Sequence, residues 1–395
     1  MPTDIPATPH RKHAQLARPA VGEFHRHELA ILGAPCGKIK ELVTRLLPHL
    51  EPVLRVTYVD ADHAAGDDAA QGGSGGQDAI LQAGASAELT DKITFTRLDL
   101  KRGFDKFAQQ EWLHHQSLVL VNGNHFRARQ QIAILDPAKP LQKKLDRLTD
   151  VRLLLLPEGV TEVPDYLQEH LADADIPMLP LAATEAIAAL VLQEWRQQRP
   201  PVRGLVLAGG QSQRMGQDKG RLAYHGQEQR AYAAALLAPF CEDVLVSCRP
   251  EQVAELEAAG LMPLPDAFVG LGPMSGLLSA FQLDPDAAWL VVACDLPFLS
   301  ETTLAHLVEH RHAGRMATAY RSPESEWPEP LITIWEPSSY GTLLRFLSQG
   351  YSCPRKALIN SDIELLHPPD PIELRNINTP EQRAAAVQEL GSNPQ

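Results

Sequence analysis

Leu207-Ala208-Gly209-Gly210-Gln211-Ser212-Gln213-Arg214-Met215-Gly216-Gln217-Asp218-Lys219 decides how the second half of this chain is read. An apolar strand over 202–207 opens directly into a glycine-rich loop. Glycines let backbone N–H groups come close to a phosphate, and a nest of such groups binds anions. Arg214 and Lys219 add full positive charges to the same loop. A guanidinium grips phosphate oxygens in pairs, while an ammonium acts as a point charge. A bare Gly-Gly would mean only a tight turn. Ser212, Arg214, Gly216, Asp218 and Lys219 at fixed offsets behind it predict a phosphate-binding loop.

Outward from that loop, short apolar runs alternate with amphipathic stretches. The second half predicts strands at 202–207, 243–247, 289–293 and 317–320, with helices at 230–237, 252–259, 274–281 and 301–310. The first half predicts strands at 28–32, 53–59, 117–121 and 151–156, with helices at 38–50, 140–148, 163–172 and 183–198. Such alternation implies α/β architecture: two three-layer domains with mostly parallel sheets, and ligands at the carboxyl ends of the strands. Arg199-Pro200-Pro201 stops a helix, because proline removes a donor and clashes with the preceding turn. The expected organisation is a disordered tail over 1–22, a domain over 23–198 and a second domain over 202–392. A flexible low-complexity loop is expected at 64–88, around Gly-Asp-Asp-Ala-Ala-Gln-Gly-Gly-Ser-Gly-Gly.

Composition narrows the function. At roughly 150 residues per domain, 395 residues make two domains plus tails. Lys plus Arg total 36 against 49 Asp plus Glu, a balance of −13 that argues against nucleic-acid binding. No apolar run reaches the ~18 residues of a membrane span, and the first residues carry no apolar signal core. Five cysteines without a CxxC pair fit a reducing cytoplasm, with Cys36 and Cys294 read as small buried apolar side chains.

Three further segments follow the glycine loop. Pro265-Asp266 precedes Gly270-Leu271-Gly272-Pro273-Met274-Ser275-Gly276. A buried strand then delivers Asp295 in Cys294-Asp295-Leu296-Pro297-Phe298, a hard oxygen ligand suited to Mg²⁺. Arg375-Asn376-Ile377-Asn378-Thr379-Pro380-Glu381 closes the series, with Thr379 as a helix cap and Pro380 at the first helical position.

In this order the segments resemble the molybdenum cofactor guanylyltransferases, whose loop runs LAGG-x-S-x-R-M-G-x-D-K. The resemblance covers roughly 202–385 and implies a Rossmann-like nucleotidyltransferase fold there. It implies transfer of GMP from GTP to molybdopterin with release of pyrophosphate, GTP as substrate and Mg²⁺ as cofactor. Arg214, Lys219 and Asp295 would be catalytic, with Asp295 the metal ligand. Leu207, Ala208, Gly209, Gly210, Ser212, Lys219, Asp266 and Gly272 would hold the nucleotide, and Asn376 and Asn378 would lie on the pterin side. The implied partners are molybdopterin and, downstream, molybdoenzyme apoproteins or their chaperones. Related cytidylyltransferases usually carry an Ala for the first Gly and lack the Asp before the Lys, so Gly209 and Asp218 favour guanylyl transfer. Two alternatives stay open: cytidylyl or other nucleotidyl transfer on the same fold, and a carrier of a molybdopterin nucleotide. Two positions depart from the pattern: Ser247-Cys248-Arg249 stands where the family often has Asn, and Gln382 replaces an acid.

In the first half, Gly33-Ala34-Pro35-Cys36-Gly37-Lys38-Ile39 is similar to a P-loop but one residue short, with Ile39 in place of the hydroxyl that would hold Mg²⁺. Val121-Asn122-Gly123 has Asn where an acid would sit. Together they resemble a degenerate, non-hydrolysing form of the molybdopterin-guanine biosynthesis adaptor of the P-loop class, with Lys38 near a phosphate. Asp60-Ala61-Asp62-His63 reads as a solvated loop end, and His25, His27, His114 and His115 as surface residues.

Overall fold

The computed structural model describes residues 26–61, 79–103, 105–172, 174–209 and 219–392. They form two compact units, Arg26–Gln198 and the residues from Arg199 onward. The tail expected over 1–22 lies outside the described residues.

The first unit holds β1 (His27–Leu32), β2 (Val56–Val59), β3 (Ala87–Asp91), β4 (Thr96–Leu100), β5 (Leu118–Asn122), β6 (Gln130–Ile134), β7 (Val151–Leu156) and β8 (Met178–Pro180). Six of these make one sheet in the order β2-β5-β1-β6-β7-β8, every pair parallel. β3 and β4 form a separate antiparallel hairpin. Helix Cys36–Leu50 buries Ile39, Leu42, Val43, Leu46 and Leu50, a stripe at helical spacing, and packs against helix Thr184–Gln197.

Three expectations need correction here. Within the stretch expected as a loop at 64–88, the described residues hold a helical turn at Ala79–Gln82 and the start of the strand from Ala87, which pairs with β4. Residues 62–78 lie outside the described residues, Asp62 and His63 among them. The helix at 140–148 is instead a 3₁₀ segment, Leu141–Arg147, broken at Lys144 (φ −131°, ψ 18°), whose ammonium is drawn to Asn124. His27 and His114 are buried, at 4% and 7% exposure: His27 begins β1, an interior strand of the sheet, and His114 caps helix Lys106–Leu113.

The second unit holds β9 (Val202–Leu207), β10 (Val244–Cys248), β11 (Met262–Pro265), β12 (Ala288–Ala293), β13 (Ala317–Arg321), β14 (Pro328–Trp335) and β15 (Glu364–Leu366). Their order is β11-β10-β9-β12-β14-β13-β15. The first four are mutually parallel, β14 runs antiparallel to both neighbours, and β15 joins β13 in parallel. Alternation along the strands separates two cores. Val206, Leu290 and Val292 face helices Gln229–Leu237 and Glu301–Glu309. Leu205, Trp289 and Val291 face helices Pro273–Leu283 and Ser339–Ser348. A sheet buried on both faces is the reason β12 reads as an uninterrupted apolar run.

Candidate functional site

β9, β10 and β12 end side by side, with Leu207 in register with Ser247 on one flank and Ala293 on the other. Beyond these carboxyl ends lies a cavity of about 650 Å³, lined among others by Ala208, Gly209, Ser247, Asp266, Gly272 and Asp295. That volume lies within the usual range of small-molecule sites, ~300–1,000 Å³. Leu207 also lines it. Gly210, Ser212 and Arg214 lie outside the described residues. Lys219 opens the 3₁₀ turn Lys219–Arg221, and its side chain is not described.

Asp266 is fixed from two directions. Its N–H donates to the Cys248 carbonyl (2.9 Å), and its Oδ1 accepts from Ser247 Oγ (2.7 Å). Burial raises the Asp266 pKa, while the Ser247 bond pulls it down by less. The loop behind it is pinned by serines of the next helix: Leu271 N–H donates to Ser275 Oγ (3.2 Å) and Ala267 N–H to Ser279 Oγ (2.8 Å). Gly272, at φ +60°, turns the chain so that Pro273 starts the helix. That helix sits against the strand ends so closely that a Cβ at Gly276 would lie 2.5 Å from Ser247 Oγ and 2.7 Å from Leu207 Cδ2.

Asp295 follows β12, and its carbonyl accepts from Ile377 N–H at 2.9 Å. Ile377 is buried, and Leu374 enters the core on the Val206 side. The bond holds Asn376 and Asn378 beside Asp295 through the backbone, although neither asparagine is among the described residues lining the cavity. Asn376 Oδ1 is buried and accepts from no described donor. The segment is locked by a capping box: Gln382 N–H donates to Thr379 Oγ1 (3.3 Å), and Gln382 Oε1 accepts from Thr379 N–H (3.1 Å) and Asn378 N–H (2.7 Å). Gln382 keeps the reciprocal bond that an acid would make there.

The carboxylates lining the cavity, Glu251, Asp266 and Asp295, are oxygen donors of the kind that would suit a magnesium ion arriving with its nucleotide. Among the described residues no three His, Cys, Asp or Glu side chains gather as a metal cage. Mg²⁺ is commonly held by one or two carboxylates, with substrate phosphates and water completing the shell.

The MobA-like NTP transferase domain family matches residues 204–362. The molybdenum cofactor guanylyltransferase of Pseudomonas fluorescens (strain SBW25) is 30% identical over 185 residues, 46% of this chain and 91% of that protein. The chain belongs to the MobA-like NTP transferases. A molybdenum cofactor biosynthesis bifunctional protein of Synechocystis sp. is 37% identical over 181 residues, which is 46% of this chain; the match spans 52% of that relative, about half its length. Among solved structures, molybdopterin-guanine dinucleotide biosynthesis protein A of Archaeoglobus fulgidus aligns with 48% of this chain and all of its own, at 24% identity and a TM-score of 0.42. Molybdopterin-guanine biosynthesis protein B aligns with 43% of this chain and 99% of its own, at 17% identity and a TM-score of 0.30.

Within this MobA-like unit, sequence reading missed several residues. Ser247 was noted only as a departure, yet its hydroxyl holds Asp266. Arg249 lines the cavity and donates from Nη1 to the Gly209 carbonyl (3.2 Å). Tyr224 and Arg383 share the electrostatic field of Asp295: burial raises the Tyr224 pKa, Arg383 opposes that rise, and Asp295 adds to it. Leu331 was not missed, since Pro330-Leu331 resembles a further pterin-side element of the family, and it lines the same cavity. In the first unit, Lys38 is tied to Asp136 (2.7 Å), whose pKa that bond lowers. Its ammonium is therefore already matched by a carboxylate where a phosphate was expected. Among the described residues no helix is long and apolar enough to cross a membrane.

Proposed function

We infer that the second unit transfers GMP from GTP to molybdopterin and releases pyrophosphate. The observation that carries this reading is the 2.9 Å bond from Ile377 N–H to the Asp295 carbonyl. It brings the closing asparagine segment to a carboxylate at the edge of a nucleotide-sized cavity. The names of the similar proteins support the same chemistry.

The pterin phosphate attacks the α-phosphorus of GTP, and the bond from that phosphorus to the pyrophosphate oxygen breaks. Both reactants are anions, so the protein must mainly offset charge and hold the attack in line. Gly209, Asp266 and Gly272 take the base and ribose, and Leu207, Ala208, Gly210 and Ser212 belong to the loop that takes the phosphates. Arg214 and Lys219 stabilise the leaving pyrophosphate. Asn376 and Asn378 position the pterin, with Asn376 Oδ1 as a ready acceptor. Asp295 would hold Mg²⁺, which when bound draws negative charge off the triphosphate. The free thiols fit a cytoplasmic setting, from which the product would pass to molybdoenzyme apoproteins or their chaperones. The first unit serves as a degenerate adaptor that does not hydrolyse GTP.

Arg249 lining the cavity where relatives often carry Asn favours a second reading, transfer from another nucleotide. A panel of GTP, CTP and ATP with molybdopterin, followed by pyrophosphate release, separates the two. GTP is expected to turn over at least ~10-fold faster than CTP. A CTP preference would shift the assignment to cytidylyl transfer, and tight binding without release would mark a carrier.

A further inference from the structure

The first unit holds a cluster that nucleotide transfer does not use. The loops after β1 and β5 leave adjacent parallel strands at the same carboxyl edge, with Gly123 N–H donating to the Ile31 carbonyl (2.8 Å). One loop delivers Cys36 and the other His125, and Cys36 Sγ lies 3.3 Å from His125 Nε2. Asn124 Nδ2 donates to the same sulfur (3.6 Å) and to the Ala34 carbonyl (2.9 Å), and Lys144 Nζ donates to Asn124 Oδ1 (2.7 Å). Cys36 is also the first residue of a 15-residue helix, where the backbone dipole favours negative charge. It is half-exposed, so the expectation of a buried apolar filler is wrong: the polar neighbours come from a loop 89 residues away.

We propose that Cys36 and His125 form a nucleophilic thiol centre that exchanges with small anionic disulfides, making Cys36 a covalent modification site. The imidazole takes the thiol proton as the sulfur bonds to the nearer sulfur of the disulfide. The disulfide bond breaks, and the leaving thiolate collects that proton, so one thiol is consumed and one released. Asn124 steadies charge on the sulfur. Asp60, bonded to Tyr58, Asn122 and Ala61 N–H, is a carboxylate near His125 that can balance the imidazolium formed in the exchange. The preference for an anion comes from Lys144 and Arg147, neither of which meets a carboxylate among the described residues. A metal role fits less well, since among the described residues no third His, Cys, Asp or Glu joins the pair. No other cysteine occurs before Cys241, so within this unit the mixed disulfide has no thiol to resolve it.

The test treats the full chain at pH 7 with oxidised glutathione, an anion, or cystamine, a cation, and maps each cysteine by peptide mass. Cys36 is expected to form the glutathione adduct ~10-fold or more faster than the exposed Cys353. His125→Gln should slow Cys36 by a similar factor and leave Cys353 unchanged. Lys144→Gln should slow the reaction with glutathione disulfide but not with cystamine. Equal rates at Cys36 and Cys353 in the unmodified sequence would overturn the proposal even where a variant does not fold. So would a folded His125→Gln that reacts at the original rate. Cystamine reacting as fast as glutathione disulfide would overturn the anionic preference.

Discussion

Asp266 and Asp295 are both carboxylates at the strand ends, and their surroundings give them different tasks. Burial raises the Asp266 pKa, so the folded state holds that proton more tightly than the unfolded chain does. The sign follows: stability falls as pH rises from the ordinary carboxylate range through the raised folded pKa. Asp266→Asn removes that penalty, so melting temperature should rise at pH 7 relative to the unsubstituted chain, with the gain fading toward pH 4. Transfer should drop in the same variant. A melting difference that does not vary with pH would show that Asp266 is not held against its charge. Asp295→Ala is expected to lower transfer by ~10²–10³-fold or more with little change in melting temperature. Near-normal rates at limiting Mg²⁺ would remove Asp295 from the reaction. The place of Asp295 after β12, at the edge of the cavity, was legible because a buried apolar strand ends there in an acid downstream of a glycine-rich loop. Ser247 and Arg383 were not, since their roles depend on neighbours brought together only by the fold. The pairing of Cys36 with His125 was hidden for the same reason.

Among the elements, helix Pro273–Leu283 shows what close packing demands. Gly276→Ala would push it away from Ser247 and Leu207, at a cost of about 1–3 kcal/mol. The same shift should weaken GTP binding, because Ser247 would lose its aim at Asp266; calorimetry of folding and of GTP binding measures both. The parallel strands β9, β10 and β12 could be read directly, since burial on both faces leaves β12 apolar throughout and β9 and β10 apolar apart from Arg203 and Ser247. β14 was missed because Pro328 and Pro330 look like breakers, yet its ladder with β12 uses only 332–335. β11 contains two prolines and survives at the edge of the sheet, where a missing donor costs least. β6 carries Gln130 and Gln131, whose amides break the apolar pattern; Gln131 bonds to Thr149 and to the backbone at 128, 129, 149 and 150.

Across the whole molecule, each sheet draws its strands from one unit, and the second unit has cores on both faces of its own sheet. Residues 199–395 alone are therefore expected to fold and to keep nucleotide transfer; a soluble, folded but inactive product would mean that the first unit completes the site. The second unit is also tied by Arg311, which binds Glu336 through Nε (2.7 Å) and Nη2 (2.8 Å) and reaches the Pro200 carbonyl (3.1 Å). Both side chains are buried, at 8% and 1% exposure. Arg311→Ala strands a buried carboxylate and should cost about 3–5 kcal/mol, whereas Arg311→Met with Glu336→Leu should recover much of it. Denaturant melts of the three chains decide between these outcomes. The clamp from Ile377 to Asp295 also has a consequence for synthesis. On the ribosome, the glycine loop and the carboxylate both emerge well before the segment that bonds to the Asp295 backbone. A nascent chain stalled after β12 therefore carries the charged groups of the site without the strap that holds the Asp295 backbone, and it should stay silent until translation passes Asn378.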